Sequence, residues 1–302
     1  MAAPIAQPPS LEATYKVRET EGVFDIFFYR KVGFQLAKFF DQIGMSPIGV
    51  TLVGGIFGVL AGHLYFYQNF ALNLVGIFLQ IVANAFDNAD GQLARLQNRE
   101  SRTGRILDGF VDYLVWLGIY FHLILRHVVG GGTEAVWIVG LLAMASHATQ
   151  SAAADYARHA YVHFAKNRGE LESSASLKGE PAPSGFWPKL LLGLYANLVW
   201  QQEKMSPVLT KLRDQVRRIF SDQIPDWLRS RYEHDVQPTL KWWRLFMANT
   251  RMGFLFLLLL IGQPVCFFWI EITAFNALLI YLLSQQRKMA TNCLEVLSGR
   301  TA

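Results

Sequence analysis

Charge is what this 302-residue chain has least of. Asp, Glu, Lys and Arg make up 17% of it, against about a quarter in an ordinary soluble domain. Hydrophobic residues account for 52%, and 22 residues are phenylalanine. So little charge excludes a disordered chain and a highly charged nucleic-acid binder, and it cannot solvate the surface of a conventional soluble enzyme. Cysteine is also scarce. Cys266 and Cys293 are too few for a disulfide framework and read as inert. The N-terminal stretch lacks the compact apolar core of a secretory signal, so the membrane segments are expected to be internal. No repeat of solenoid period is evident.

In place of charge there are long apolar runs. Six stretches, at 44–67, 71–89, 106–125, 135–154, 252–270 and 273–283, approach the about 20 residues that cross a hydrocarbon core about 30 Å thick. The connections at 67–73 and 271–273 contain no Lys or Arg, and the third on that side has only Arg126. Positive charge gathers instead in the N-terminal arm, between Arg95 and Arg105, after Lys166 and after Arg287. The positive-inside rule then puts both termini in the cytoplasm. Anionic lipid headgroups account for the net charge of +5 without nucleic acid. The expected fold is an all-α integral membrane protein, a six-transmembrane-helix bundle with an N-terminal interfacial amphipathic helix and a cytoplasmic helical insertion.

That division gives an arm and interfacial helix over 1–43, four spans over 44–165, an amphipathic insertion over 166–250, and two spans with a tail over 251–302. In the interfacial helix, expected over 26–40, Phe28, Val32, Leu36, Phe39 and Phe40 share a face while Arg30, Lys31 and Lys38 snorkel away. The insertion opens with linker-like runs at 172–176 and 181–185. It continues into amphipathic stretches at 187–200, 206–220 and 239–246, which suit helices lying against the membrane face.

The chemistry concentrates between the second and third spans. Asp87 and Asp90 are three residues apart, Asp108 and Asp112 four, so each pair shares a helical face, and a short turn brings the faces together. Four carboxylates beside hydrocarbon repel one another and pay for desolvation, so a cation must compensate. Hard oxygen donors without a His or Cys cluster fit magnesium or manganese rather than zinc. Such ions serve displacement at phosphorus by neutralising a diphosphate. Gly91 would let a phosphate or nucleotide approach the backbone, or, with Ala89 and Ala94, let two helices touch.

The spacing Asp-x2-Asp-Gly-x2-Ala-Arg-x8-Gly-x3-Asp-x3-Asp, complete from Asp87 to Asp112, resembles the signature of the CDP-alcohol phosphatidyltransferase family. The resemblance implies displacement of CMP from a CDP-linked donor by an acceptor hydroxyl. It implies a two-metal centre of Mg2+ or Mn2+ on Asp87, Asp90 and Asp108, completed by Asp112, which also serves as general base. It assigns Gly91, Arg95 and Ser101 to the CDP portion of the donor. Many members carry Thr-Pro-Asn-x-x-Thr before the first span, where this chain reads Ser46-Pro47-Ile48-Gly49-Val50-Thr51. The implied partners are a CDP-linked lipid or alcohol donor, a polar alcohol or lipid acceptor and membrane lipids, and a homodimer is compatible with them.

Acceptor choice lies elsewhere. His147, Ser151, Asp155 and Arg158 form a polar stripe on the fourth span, read either as a functional site or as helix-to-helix hydrogen bonding with an internal Asp155–Arg158 pair. Arg251 is placed to bind a phosphorylated acceptor or to anchor its span at the headgroups. Two schemes remain: CDP-diacylglycerol donating phosphatidyl to a polar alcohol such as inositol phosphate, for which Arg158, Arg251, Lys166 and Arg168 supply cations, or a CDP-alcohol donating to a lipid hydroxyl. A non-catalytic membrane scaffold is the alternative of another class, and the intact four-aspartate set argues against it.

Overall fold

A computed structural model describes residues 17–301 except 23, 180–183 and 222. The first part of the N-terminal arm and most of the 181–185 linker therefore lie outside the described residues. Every regular element among the described residues is helical. The chain separates into two compact units, Met1–Gly131 and Gly132–Ala302.

In the first unit, a π-helical turn at Asp25–Tyr29 runs into α1 (Arg30–Gln42), followed by α2 (Pro47–Leu64), α3 (Phe70–Leu96) and α4 (Arg102–Val129). Each start is written locally. Ser46 caps α2 by accepting from Gly49 N, with Pro47 at the first position. Asn69 caps α3 through Leu72 N, and Ser101 caps α4 through Gly104 N. Left-handed backbone at Gly44 (φ 71°) and Asn98 (φ 49°) turns the chain between α1 and α2 and between α3 and α4.

α2 packs through glycines. A Cβ on Gly54 would stand 2.9 Å from Phe86 Cβ, on Gly55 2.5 Å from Val111 Cγ1, and on Gly58 2.7 Å from Val115 Cγ2. Close approach of this kind is how helices associate where lipid removes the hydrophobic drive. α1 lies on the C-terminal half of α3, where Ala37 and Phe40 join Val50, Ala89 and Leu93 in one buried cluster. The expected snorkelling of Arg30 is not what happens. Arg30 is buried and makes paired hydrogen bonds to Glu21, at 3.0 and 2.9 Å, while Phe28 and Phe39 are exposed. An acidic partner nine residues upstream made burial cheaper than snorkelling.

The second unit contains α5 (Val136–Lys166), α6 (Ser174–Gly179), α7 (Phe186–Met205), α8 (Pro207–Phe220), α9 (Asp226–Trp243) and α10 (Ala248–Leu260). It ends with α11 (Cys266–Ile270), a π-helical turn (Glu271–Phe275) and α12 (Asn276–Thr301). Ala153, Ala157, Trp243, Phe246, Phe275, Leu279 and Leu282 form its core. The insertion is held by ion pairs: Arg213 to Glu203 at 2.9 Å and Lys166 to Glu233 at 2.6 Å, with the Ser174 hydroxyl donating to Glu203.

Among the described residues, four helical runs are long and apolar enough to cross a membrane: α2, α3, α4 and the run Cys266–Gly299. Asp226–Phe246 and Ala248–Leu260 qualify only together, bent by 49°. These helices fit a multi-pass membrane protein. α5 has the length, at 31 residues, but its polar residues, Gln150 and Asp155 among them, lower its hydropathy.

Candidate functional site

The α3–α4 turn delivers the two acidic faces to one place. Carboxylate oxygens of Asp87, Asp90 and Asp108 lie within 4.8 Å of one another. Asp112, one turn further along α4, lines the same open pocket of about 320 Å3. Thr51, Gly54, Gly55, Gln80, Asn84 and Val111 complete most of its wall. Three carboxylates this close repel one another, and a cation between them would relieve that repulsion. Their hard oxygen donors suit a magnesium-class ion, so the residues present fit the divalent metals that the acidic motif implies.

Neighbours fix the carboxylates. Thr51 Oγ1 donates to Asp90 Oδ2 at 2.5 Å, which orients that carboxylate as outer hydrogen bonds orient metal ligands. The Ser46–Thr51 element thus supplies both the cap of α2 and a pocket residue. Gln92 Nε2 donates to Arg30 O at 3.2 Å, tying α1 to the motif-bearing stretch of α3. Gln80 Nε2 donates to Asn84 Oδ1 at 3.0 Å, and the Asn84 side chain hydrogen-bonds the Tyr29 hydroxyl. Burial raises the Tyr29 pKa above its ordinary value despite that bond, so the phenol stays protonated.

Gly91 and Arg95 stand one turn apart on α3, the Arg95 guanidinium lying over Gly91. A Cβ on Gly91 would meet only Arg95 Nη2 at 3.7 Å and Nη1 at 3.9 Å, so helix packing does not require a glycine there. Arg95 Nε and Nη2 are buried and make no hydrogen bond among the described residues, and Nη1 lies 3.8 Å from Glu100. A guanidinium with unused donors beside an open backbone suits a phosphate oxygen. Ser101, at the exposed start of α4, spends its oxygen on the cap.

The polar stripe on α5 divides. Asp155 and Arg158 pair at 2.5 Å. His147 is buried, 3.4 Å from Glu271. Arg251 sits neither at a headgroup nor in an open acceptor site. Its side chain is fully buried and its Nη1 donates to both Glu271 oxygens, at 3.1 and 2.9 Å. Glu271 lies in a segment that reads as a short polar break between apolar runs, so sequence periodicity gave no sign of this pair. Gln80 and Gln92 were equally hidden, since a lone polar residue in an apolar helix carries no spacing signal, whereas Thr51 closes the Ser46–Thr51 element already visible in the sequence.

Comparison with known proteins follows the same residues. The chain is 33% identical over 121 residues, 39% of its own length and 48% of the relative's, to a phosphatidylinositol phosphate synthase of Streptomyces avermitilis. It is 29% identical over 106 residues, 35% of its length and 55% of the relative's, to an archaetidylinositol phosphate synthase of Pyrococcus horikoshii. The match thus spans about half the length of these curated relatives. A family model described as CDP-alcohol phosphatidyltransferase matches residues 45–199, just over half of the sequence and all four aspartates. The chain therefore belongs to the CDP-alcohol phosphatidyltransferase family.

Proposed function

We propose that the protein transfers a phosphatidyl group from CDP-diacylglycerol to a polar alcohol, with inositol phosphate as the acceptor, and releases CMP. The observation that carries this reading is the convergence of the motif's carboxylates on one pocket, with Asp87, Asp90 and Asp108 within 4.8 Å. The acceptor follows from the names of both relatives, each a synthase of an inositol phosphate lipid.

Magnesium or manganese on Asp87, Asp90, Asp108 and Asp112 would neutralise the donor diphosphate. Around it the chain's own groups divide the work. Thr51 holds Asp90 in one orientation. Arg95 hydrogen-bonds a donor phosphate oxygen, Gly91 leaves room for it, and Ser101 borders the CDP portion. Asp112, one turn beyond the three clustered carboxylates, takes the proton from the acceptor hydroxyl as it attacks phosphorus. The pocket is narrow and open to one side, walled by Thr51, Gly54, Asn84 and Val111 around the aspartates. It suits the reacting diphosphate and leaves the acyl chains in lipid.

In the membrane, the same reading takes α5 and α10 as spans beside the four apolar runs, making six. Their polar residues face the protein interior. The aspartate pocket and both termini face the cytoplasm, α1 lies at the interface, and the 166–250 insertion rests against the cytoplasmic face. A homodimer is compatible with this arrangement.

The test is CMP release by purified protein in lipid, given CDP-diacylglycerol with a panel of polar alcohols, or CDP-alcohols with diacylglycerol. Release with CDP-diacylglycerol and inositol phosphate is expected, abolished by chelator and restored by magnesium or manganese. Release only with a CDP-alcohol and diacylglycerol would reverse the scheme. Absence of release with every pair would favour a scaffold.

A further inference from the structure

α2 and α4 meet a second time, far from the aspartates. His63, one residue before the end of α2, is about 18 Å along that helix from Thr51, and His122 is on the next-to-last turns of α4. Their rings converge, with His63 Nδ1 3.2 Å from His122 Nε2. The ring planes stand at 82° with centroids 5.1 Å apart.

Two nitrogens each bound to one tetrahedral zinc at about 2.0–2.1 Å stand about 3.3 Å apart, with ring centroids about 5.2 Å apart. A straight N–H···N bond of the observed length would hold the centroids about 5.5 Å apart. The observed spacing is that of two rings turned toward one ion, and with no ion bound the same nitrogens share a bent hydrogen bond.

The outer contacts agree. His122 Nδ1 is 2.7 Å from Gly118 O, which fixes the proton on Nδ1 and leaves the Nε2 lone pair facing His63. Metal-ligating histidines are oriented in this way. Tyr67 Oη lies 3.4 Å from His63 Nε2, able to accept that nitrogen's proton when Nδ1 turns its lone pair to an ion. His63 is exposed, so an ion can reach the pair.

We propose that His63 and His122 form a binding site for a divalent transition ion of the zinc class, joining α2 to α4 at the end of the helices opposite the aspartate pocket. Imidazole nitrogens select such an ion, while the carboxylates at the other end select magnesium or manganese. Water fills the remaining coordination positions. The site stands apart from the transferase reading and does not depend on it.

The experiment titrates zinc into the full-length protein in detergent, against a chromophoric chelator, with magnesium saturating the aspartate pocket. Parent, His63→Ala, His122→Ala and Asp108→Asn are compared, and His63→Gln replaces His63→Ala should that variant not fold. Parent and Asp108→Asn should share one zinc site that weakens at least tenfold in each histidine variant. Unchanged zinc binding in the histidine variants would overturn the proposal, as would loss in only one of the two. Loss confined to Asp108→Asn would also overturn it by placing the ion at the carboxylates.

Discussion

Replacing Gly91 by alanine separates the stability of α3 from its use. A Cβ there would come no closer than 3.7 Å to another side chain, an ordinary contact, and position 91 lies inside a 27-residue helix. Alanine in a helix interior is favoured over glycine by about 0.8–1 kcal/mol, so Gly91→Ala should unfold at the same temperature as the parent or higher. The methyl group nevertheless sits against the Arg95 guanidinium, where the proposed function places a donor phosphate. Donor kcat/KM should fall at least tenfold, a loss of about 1.4 kcal/mol in transition-state stabilisation. Gly55→Ala is the contrast. Its Cβ would lie 2.5 Å from Val111 Cγ1, and forcing that overlap costs about 1–3 kcal/mol, lowering the unfolding temperature. The assays are thermal unfolding in detergent and CMP release against donor concentration. Unchanged donor kcat/KM in Gly91→Ala would refute the role of Gly91 in donor binding, and a lowered unfolding temperature would refute the claim that glycine is not needed for packing.

Asp112→Asn should cut turnover while donor affinity falls less, whereas Asp87→Asn should weaken both; near-normal turnover in Asp112→Asn would end its role as base. Thr51→Val removes the 2.5 Å bond to Asp90 and should raise the magnesium needed for half-maximal activity about tenfold, with an unchanged requirement counting against the bond's orienting role. Burial pushes the Glu203 carboxyl up, but hydrogen bonds from Ser174 and Arg213 and the Arg213 charge outweigh it and hold the pKa below its ordinary 4.5. A depressed folded pKa contributes stability above the unfolded value that is lost as pH falls through the folded one, so the parent should lose more stability than Glu203→Gln on acidification below about pH 4.5, and parallel melting curves would contradict this. Cysteines placed at Asn69 and Ser174 should label from opposite sides of the membrane; labelling from the same side would contradict the proposed topology.

The sequence by itself determined the class of the protein and the heart of its site. Low charge and long apolar runs dictate membrane helices, because hydrocarbon satisfies no backbone polar group and helices satisfy their own. Spacings of three and four put Asp87 with Asp90 and Asp108 with Asp112, and a turn of five residues between α3 and α4 keeps the two pairs close. Caps at Ser46, Asn69 and Ser101 are local and were written in the chain. The tertiary structure decided what depends on partners distant in sequence. Arg30 could snorkel or be buried, and Glu21 settled it. Gly91 and Gly55 are alike as letters, yet one lies under the Arg95 side chain of its own helix with room for a Cβ and the other is pressed against Val111, a difference set by which face of each helix meets its neighbour. Arg251 looked like a cation at a membrane mouth until Glu271, twenty residues on, was folded against it. Helical periodicity reports which residues share a face, and only packing reports what that face touches.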